Sequence, residues 1–266
     1  YLSDLETLLE SFGASAFDED VSPLSVAVAS SHPYLQAVQL VLRHSPSSVS
    51  LPDADGSLPL MHACGANAEA GVVSHLYGLY PDALRLQDNF GCGAIHYAAY
   101  SGTAEVVRFL LSQDPDIASM TEGNGALPLH DAVQNVRNEV GVVRNEVGFA
   151  GEEDSVGMGD TPHNSLAIVE VLLGVNPLAA RKRDDFGALP LHRAAKFASL
   201  GVVMAVHAAF PEAVFAPDRE GLLPLHYYSQ RPASDKTHHL DLLKFLLSTN
   251  PDAKTLDDGE LFGAGG

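Results

Sequence analysis

The stretch that decides the fold is Gly187-Ala188-Leu189-Pro190-Leu191-His192-Arg193-Ala194, which recurs along the chain with small changes. Close copies begin at Gly56, Gly125 and Gly221, and a weaker copy begins at Gly91. Aligned on the histidine, the copies step by 36, 35, 34, 62 and 34 residues along the column Ser25, Met61, His96, His130, His192 and His226. A fixed period in this range indicates a stacked array of small structural units.

A second column, of apolar residues, follows each copy. Its spacing of i, i+1, i+4 and i+5 places four side chains on one face of a helix. A proline such as Pro81 comes four residues after each set, and a glycine such as Gly91 comes fourteen residues after five of the six sets. Because proline stops a helix and glycine permits a turn of positive φ, each unit is predicted to be a turn, a short helix opening at proline, a second helix, a proline stop and an extended return.

From Asp184 to Ala195 the sequence resembles the ankyrin-repeat family, whose signature runs roughly D-x-x-G-x-T-P-L-H-x-A-A. The resemblance covers essentially the whole chain. It implies an all-α solenoid of about six repeats, joined by short hairpin-like turns, with partial units at both ends. Leucine replaces the family's threonine, so the helix-capping hydroxyl and its hydrogen bond to histidine are not expected here. The replaced positions are Leu58, Leu127, Leu189 and Leu223.

We expect one solenoid domain over residues 1–266 with two insertions. The step of 62 residues indicates an insertion at residues 136–163 between the helices of the fourth repeat, and a smaller one at residues 231–239 lengthens the sixth. A duplicated Val-Arg-Asn-Glu-Val-Gly in the first favours a partly helical arm, with a disordered loop as the alternative. Because the chain begins at Tyr1 without methionine, we expect a longer parent protein.

The net charge of the chain limits the classes of partner that it is expected to bind. The chain has 15 basic and 34 acidic residues, for a net charge of −19. Nucleic acids and anionic membrane surfaces attract clustered lysine and arginine, so neither is an expected partner. Direct membrane insertion is not expected, because no apolar run of about 18 residues is present. The two cysteines, Cys64 and Cys92, are expected to be reduced, which predicts a reducing intracellular compartment: cytoplasm, nucleus or organelle interior.

No motif for catalysis or cofactor binding is present in the sequence. It has no glycine-rich phosphate loop, Cys-x-x-Cys pair or Gly-x-Ser-x-Gly elbow. The histidine column is strung out one repeat at a time, so its members cannot converge on a metal. His238-His239, with Asp235 and Asp241 nearby, is a weak metal motif that we interpret as a loop. We therefore predict no enzyme activity, no catalytic residue, no cofactor and no metal.

The resemblance implies that partners bind the concave face, made of turn tips and first helices. Nearly every tip is acidic, which either supports the turn and solubility or attracts a basic partner. The tips at Phe90 and Phe186 carry aromatic residues, which are enriched in binding hot spots. The tyrosines of the first helices are contact residues or half-buried spacers. The predicted contact residues are Asp88, Phe90, Tyr97, Tyr100, Asp184, Asp185, Phe186, Asp218, Glu220 and Tyr227.

The sequence thus predicts a non-catalytic protein–protein interaction scaffold, such as an accessory subunit of a larger assembly. Its acidic concave face would bind a protein with a basic surface. One alternative is a chaperone or targeting factor for a basic or apolar client. Another is a regulatory ankyrin segment of a larger enzyme.

Overall fold

A computed structural model describes residues 23–29, 35–66, 68–134, 164–231 and 240–250. Both predicted insertions fall almost wholly outside these ranges. The chain divides into two compact units, residues 1–128 and 129–266. Each described part is built from α-helices and short 3-10 turns, as the sequence predicts for an all-α repeat fold.

The first unit pairs a short helix with a longer one in each repeat. A 3-10 turn follows each longer helix at Pro46–Ser50, Pro81–Leu84 and Pro115–Ser119. The helices are α1 (Pro23–Ala29), α2 (Leu35–His44), α3 (Pro59–Gly65), α4 (Ala70–Leu79), α5 (Ala94–Ser101) and α6 (Ala104–Gln113), and α7 (Pro128–Ala132) begins at the last residue of the unit.

The second unit repeats the same order, with 3-10 turns at Pro177–Arg181 and Pro211–Phe215. Within each unit, first helices pack on first helices and second helices on second helices, so the core is a continuous apolar layer between repeats. The helices of the second unit are α8 (Asn164–Val175), α9 (Pro190–Phe197), α10 (Leu200–Ala209), α11 (Pro224–Ser229) and α12 (Leu240–Thr249).

The glycines and prolines of the repeat form the turns and helix starts that the sequence predicts. The glycine of each described turn has a positive φ, for example 78° at Gly187. The first helix then opens at a proline, as at Pro190, where the missing N–H would lack a helical partner in any case. The proline after the second helix does more than stop it. Pro177 opens a 3-10 turn that buries Ala179 and Ala180 before the chain becomes extended.

Histidine takes over the capping that the leucines cannot provide. The backbone N–H of Leu189 donates to Nδ1 of His192 at 3.1 Å, and that of Leu223 donates to Nδ1 of His226 at 2.7 Å. In the repeat with Met61 at this position, Sδ accepts from the N–H of Leu58 at 3.4 Å instead. The leucine side chain is free to be buried, so the loss of threonine does not leave the helix start uncapped.

The other ring nitrogen of these histidines joins neighbouring repeats. Nε2 lies 3.1 Å from the Leu222 carbonyl oxygen in His192 and 3.1 Å from the Met120 carbonyl oxygen in His96. Because Nδ1 accepts and Nε2 donates, the ring is neutral and its tautomer is fixed. Burial lowers the pKa of His96 and His192, and it lowers that of His130 to about 4, where Arg193 adds to the effect.

Candidate protein-binding site

Four of the five described turn tips are organised by the carboxylate three residues before the glycine. In Asp184, Oδ1 accepts hydrogen bonds from the backbone N–H groups of Phe186 at 3.0 Å and Ala188 at 2.8 Å. Asp88 accepts in the same way from Phe90 at 2.9 Å and from the residue two further on. One carboxylate oxygen thus substitutes for a backbone acceptor and holds the tip in shape.

The second oxygen of the same carboxylate reaches the first helix, nine residues further along. Oδ2 of Asp88 accepts from the Tyr97 hydroxyl at 2.7 Å, and Oδ2 of Asp218 accepts from the Tyr227 hydroxyl at 2.8 Å. Burial and the carboxylate hydrogen bond raise the pKa of both tyrosines, so their hydroxyls remain donors. Partial burial opposes ionisation of Asp218, but the Tyr227 hydroxyl and two amides outweigh it and lower its pKa.

Several of the residues predicted to bind a partner thus have a structural role in these hydrogen bonds. Asp88 and Asp184 are buried, and Asp218 is half-buried. Tyr97 and Tyr227 are half-buried with their hydroxyls engaged. Their predicted contact with a partner would therefore use ring faces and edges rather than free hydroxyls or carboxylates.

The remaining predicted residues are more accessible. The Phe90 side chain is 58% exposed and that of Phe186 is 63% exposed, while Asp185 and Glu220 are exposed at neighbouring positions of their tips. Tyr100 is half-buried on α5. Phe90 and Tyr100 belong to the first unit and the other three to the second, so each unit carries its own set.

The main chain of the two aromatic tips is fixed by the next repeat. The Phe90 carbonyl accepts from the Gly123 N–H at 2.8 Å, and the Phe186 carbonyl accepts from the Arg219 N–H at 3.1 Å. A Cβ on Gly123 would lie 2.5 Å from the Phe90 oxygen, so this approach requires glycine. Both rings therefore project from a tip whose backbone is already ordered, which lowers the entropic cost of using them for binding.

Sequence reasoning missed a bridging position four residues before the turn glycine. The Arg183 Nη1 donates to the Gly187 carbonyl at 2.5 Å and to the Pro217 carbonyl at 2.7 Å. Gln87 makes the same pair of contacts with the carbonyls of Gly91 and Thr121. Two long polar side chains at one register position were visible in the sequence, but only the neighbouring turn shows what they bridge.

The described residues bear on metal binding and on membrane insertion. In those ranges no group of three or more histidine, cysteine or acidic side chains is arranged to hold a metal ion. Within the same ranges no helix is long and apolar enough to cross a membrane. Among the described residues neither Cys64 nor Cys92 is joined in a disulfide, and burial raises the pKa of the Cys64 thiol. His238-His239 lies outside the described residues.

Comparison with known proteins agrees with this geometry. A family model described as ankyrin repeats, in three copies, matches residues 66–144. Residues 66–144 carry ankyrin repeats. A stretch of 81 residues is 31% identical to the tyrosine-protein kinase Shark of Drosophila melanogaster, over 30% of this chain and 8% of the kinase. The chain thus spans a small part of that relative's length.

A solved structure shares the fold of this chain. A chain of the complex of a predatory endopeptidase from Bdellovibrio bacteriovorus with an immunity protein is similar, with a TM-score of 0.58. The match covers 86% of this chain and 98% of that one at 16% identity, so it concerns the fold alone. Ankyrin repeats generally mediate protein–protein interaction, and the fold is an interaction fold rather than a catalytic one.

Proposed function

We propose that this chain is a non-catalytic scaffold that binds a protein partner through its turn tips and first helices. The observation that carries the proposal is the exposure of Phe90 and Phe186 on tips whose backbone is already hydrogen-bonded in place. Aromatic side chains on an ordered support are the usual centre of a protein interface. Neither ring is needed by the turn, because Asp55 and Glu220 occupy the equivalent position in other repeats.

Charge supports a basic partner surface. Asp185 precedes Phe186, and Glu220 lies at the tip of the following repeat, both exposed. The Arg183 side chain, although close by, is directed to two backbone carbonyls and not to these carboxylates. A lysine or arginine of the partner could pair with the carboxylates and pack on the ring face of Phe186.

The tip geometry also sets a spacing for such a partner. Within a unit, neighbouring tips are joined by a backbone hydrogen bond, as between the Asn89 N–H and the Asp55 carbonyl at 2.9 Å. Each tip consists of two chain segments side by side, so successive tips are two inter-strand distances apart, about 10 Å. An extended segment advances about 3.3 Å per residue, so basic groups three residues apart would meet successive tips.

Capture from the source cells with the tagged full chain tests the proposal. The double variant Asp185→Lys with Glu220→Lys should lose partners that the wild type retains at low salt. A control, Glu105→Lys with Asp116→Lys, changes net charge equally but lies on a second helix and the turn after it. Equal loss in both double variants would show that only total charge matters and would contradict the acidic tip surface.

The aromatic tips need their own test. Phe90→Ser with Phe186→Ser should weaken binding of a partner identified by that capture at least about tenfold, the scale of hot-spot loss. Circular dichroism should be unchanged because both rings are exposed. Binding within error of wild type would remove the aromatic tips from the site.

One comparison favours a second candidate, an ankyrin segment within a larger enzyme. The similar stretch of Shark belongs to a tyrosine-protein kinase and is a small part of it. The complete open reading frame of this protein decides between the two: a catalytic domain beside residues 1–266 supports the second candidate, and its absence supports the free-standing scaffold.

A further inference from the structure

At one outer position of the second helices, the side chain is polar in every described repeat but one. Seven residues before the proline that follows each second helix, five repeats have Gln39, Ser74, Arg108, Glu170 and Lys244. The sixth has Met204, and its side chain is 49% exposed. Around it, α10 exposes only Gly201 and Ala208, so this helix presents no charged side chain to solvent. A helix that is apolar on every face is normally buried.

The 3-10 turns on the same side show the same exception. One residue after the proline, Leu178 is 71% exposed where other repeats have Ser47, Asp82, Asp116 and Glu212. Four residues after the proline, Phe215 is 53% exposed where other repeats have Ser50, Arg85, Ser119 and Arg181. Polar residues satisfy the fold at both positions, so the apolar ones are not required by it.

These exceptions lie in adjacent repeats of the second unit. The turn containing Leu178 packs against α10, which carries Met204. Phe215 ends the turn that follows α10, and Val175, also exposed, ends α8. We call Val175, Leu178, Met204 and Phe215 the apolar outer patch. Contiguous exposed apolar surface of this kind marks interaction sites in soluble proteins.

The first unit has polar residues at the positions of Leu178, Met204 and Phe215, whereas Leu79, its counterpart of Val175, is 50% exposed. There, Arg85 at the fourth position after proline pairs with Asp114 of the next repeat, at 2.5 Å. In the second unit the equivalent Arg181 lies over the ring of Phe210, with its guanidinium carbon 4.7 Å from the centroid. An ion pair open to water has thus been replaced by a stacked, apolar contact beside the patch.

We propose that the apolar outer patch binds an amphipathic helix of a protein partner, with carboxylates along the flank of that helix. Small residues favour a helical occupant, because Gly174, Gly201 and Ala208 let another helix approach closely. A Cβ on Gly174 would meet no atom within 4 Å.

Charge favours carboxylates on that helix. Arg181, Lys182 and Arg183 are the only run of consecutive basic residues in this acidic chain, and they follow Leu178 directly. Arg183 is directed to two carbonyls of the turn tips, but Arg181 and Lys182 are exposed directly after the turn that contains Leu178 and supply positive charge there, while Glu170 and Glu212 are the exposed acids of the same elements. This surface differs in chemistry from the acidic turn tips, and its proposal stands independently of theirs.

The test uses two fluorescein-labelled peptides of about five helical turns, about 18 residues. One combines a leucine face with glutamates, and the other has lysines in place of the glutamates. Fluorescence anisotropy with the full chain should show binding of the glutamate peptide and at least about tenfold weaker binding of the lysine peptide. No binding of the glutamate peptide at millimolar concentration, or equal binding of both, overturns the proposal.

Matched variants locate the binding. Gly174→Glu and Met204→Glu should each weaken the glutamate peptide at least about tenfold. Neither should harm the fold, since glutamate favours helix and polar residues occupy these columns elsewhere. The control Gly78→Glu lies at the same position of the first unit as Gly174, also with no atom within 4 Å of a Cβ, and should leave binding unchanged. Equal weakening by the control overturns the assignment.

Two other occupants give distinct results. If a second copy of the chain covers the patch, light scattering will show a wild-type dimer that Met204→Glu dissociates. If a membrane covers it, the wild type will float with phosphatidylserine vesicles and Met204→Glu will not. Either result overturns the peptide-binding proposal, while leaving the turn-tip proposal to its own variants.

Discussion

Arg193 places one guanidinium between two carboxylates of neighbouring repeats. Its Nη2 donates to Oδ2 of Asp184 at 2.7 Å, and its Nη1 lies 4.0 Å from Oδ1 of Asp131. All three side chains are largely removed from solvent. Two other repeats have Tyr97 or Tyr227 at the position of Arg193 and hold the tip by a hydroxyl group. In this repeat a charge pair holds the tip instead.

Removing that charge should be more costly than removing a tyrosine hydroxyl. Arg193→Leu leaves two buried carboxylates without this counter-charge, and we expect a loss of about 3–5 kcal/mol in the free energy of unfolding. Tyr227→Phe removes one hydrogen bond to a half-buried carboxylate and should cost about 1.5–3 kcal/mol. Urea unfolding measures both. An Arg193→Leu loss no greater than that of Tyr227→Phe would show that the guanidinium is not needed to hold the two carboxylates.

Because the buried histidines are neutral in the folded chain, the free energy of unfolding should depend on pH above the pH range in which carboxylates titrate. The folded pKa of His130 is about 4, below its unfolded value of about 6.5. Between these values the unfolded chain binds more protons, so stability is complete above about pH 6.5 and falls as pH falls toward 4. A shift of this size is worth about 3 kcal/mol.

Unfolding at several pH values checks this prediction, with His130→Gln as the comparison. The variant should be less stable at neutral pH and should show a shallower slope between about pH 6.5 and 4. An identical slope in wild type and variant would mean that His130 does not titrate differently on unfolding.

Two turn glycines offer a matched pair. Gly187 and Gly221 have φ values of 78° and 84°, and alanine at such angles costs about 1–2 kcal/mol. A Cβ on Gly187 would also lie 2.8 Å from the backbone nitrogen of Arg219, whereas one on Gly221 would meet no atom within 4 Å. Gly187→Ala should therefore lower the urea midpoint more than Gly221→Ala. The reverse order would contradict the close approach of the two tips.

The insertion at residues 136–163 is predicted to be dispensable for folding. Removing its 28 residues from the 62-residue histidine step leaves 34 residues, an ordinary repeat. Circular dichroism and the urea midpoint should stay close to wild type. As a control, deleting the 28 residues 94–121 breaks the register of the array and should destabilise it. Unfolding after the first deletion would show that the repeat register is wrong.

The sequence predicts the repeat frame well because proline and glycine act locally. Pro190 and Gly187 need no knowledge of neighbouring repeats to fix a helix start and a turn. The capping role of His192 was not predicted, because it depends on a backbone N–H three residues earlier that threonine serves in the family pattern. The exposed tips were predicted from position, but the burial of Asp88 was not, since its second oxygen is used by Tyr97 in the folded turn.

The outer surface has a feature that the sequence alone does not predict. Met204 continues an apolar helix in the sequence and gives no sign of being exposed there. Its exposure becomes evident from the folded helices, in which the equivalent residues of other repeats, such as Ser74 and Arg108, are accessible to solvent.

The bridges between turn tips have a genetic consequence. Arg183 and the carbonyl it reaches on Pro217 are 34 residues apart, as are Gln87 and Thr121. Because the acceptor is a main-chain carbonyl, which every residue supplies, a substitution at Pro217 or Thr121 keeps the acceptor, whereas a substitution of Arg183 or Gln87 removes the donor. Related chains should therefore retain a long hydrogen-bond donor four residues before the turn glycine and vary at the position one period later.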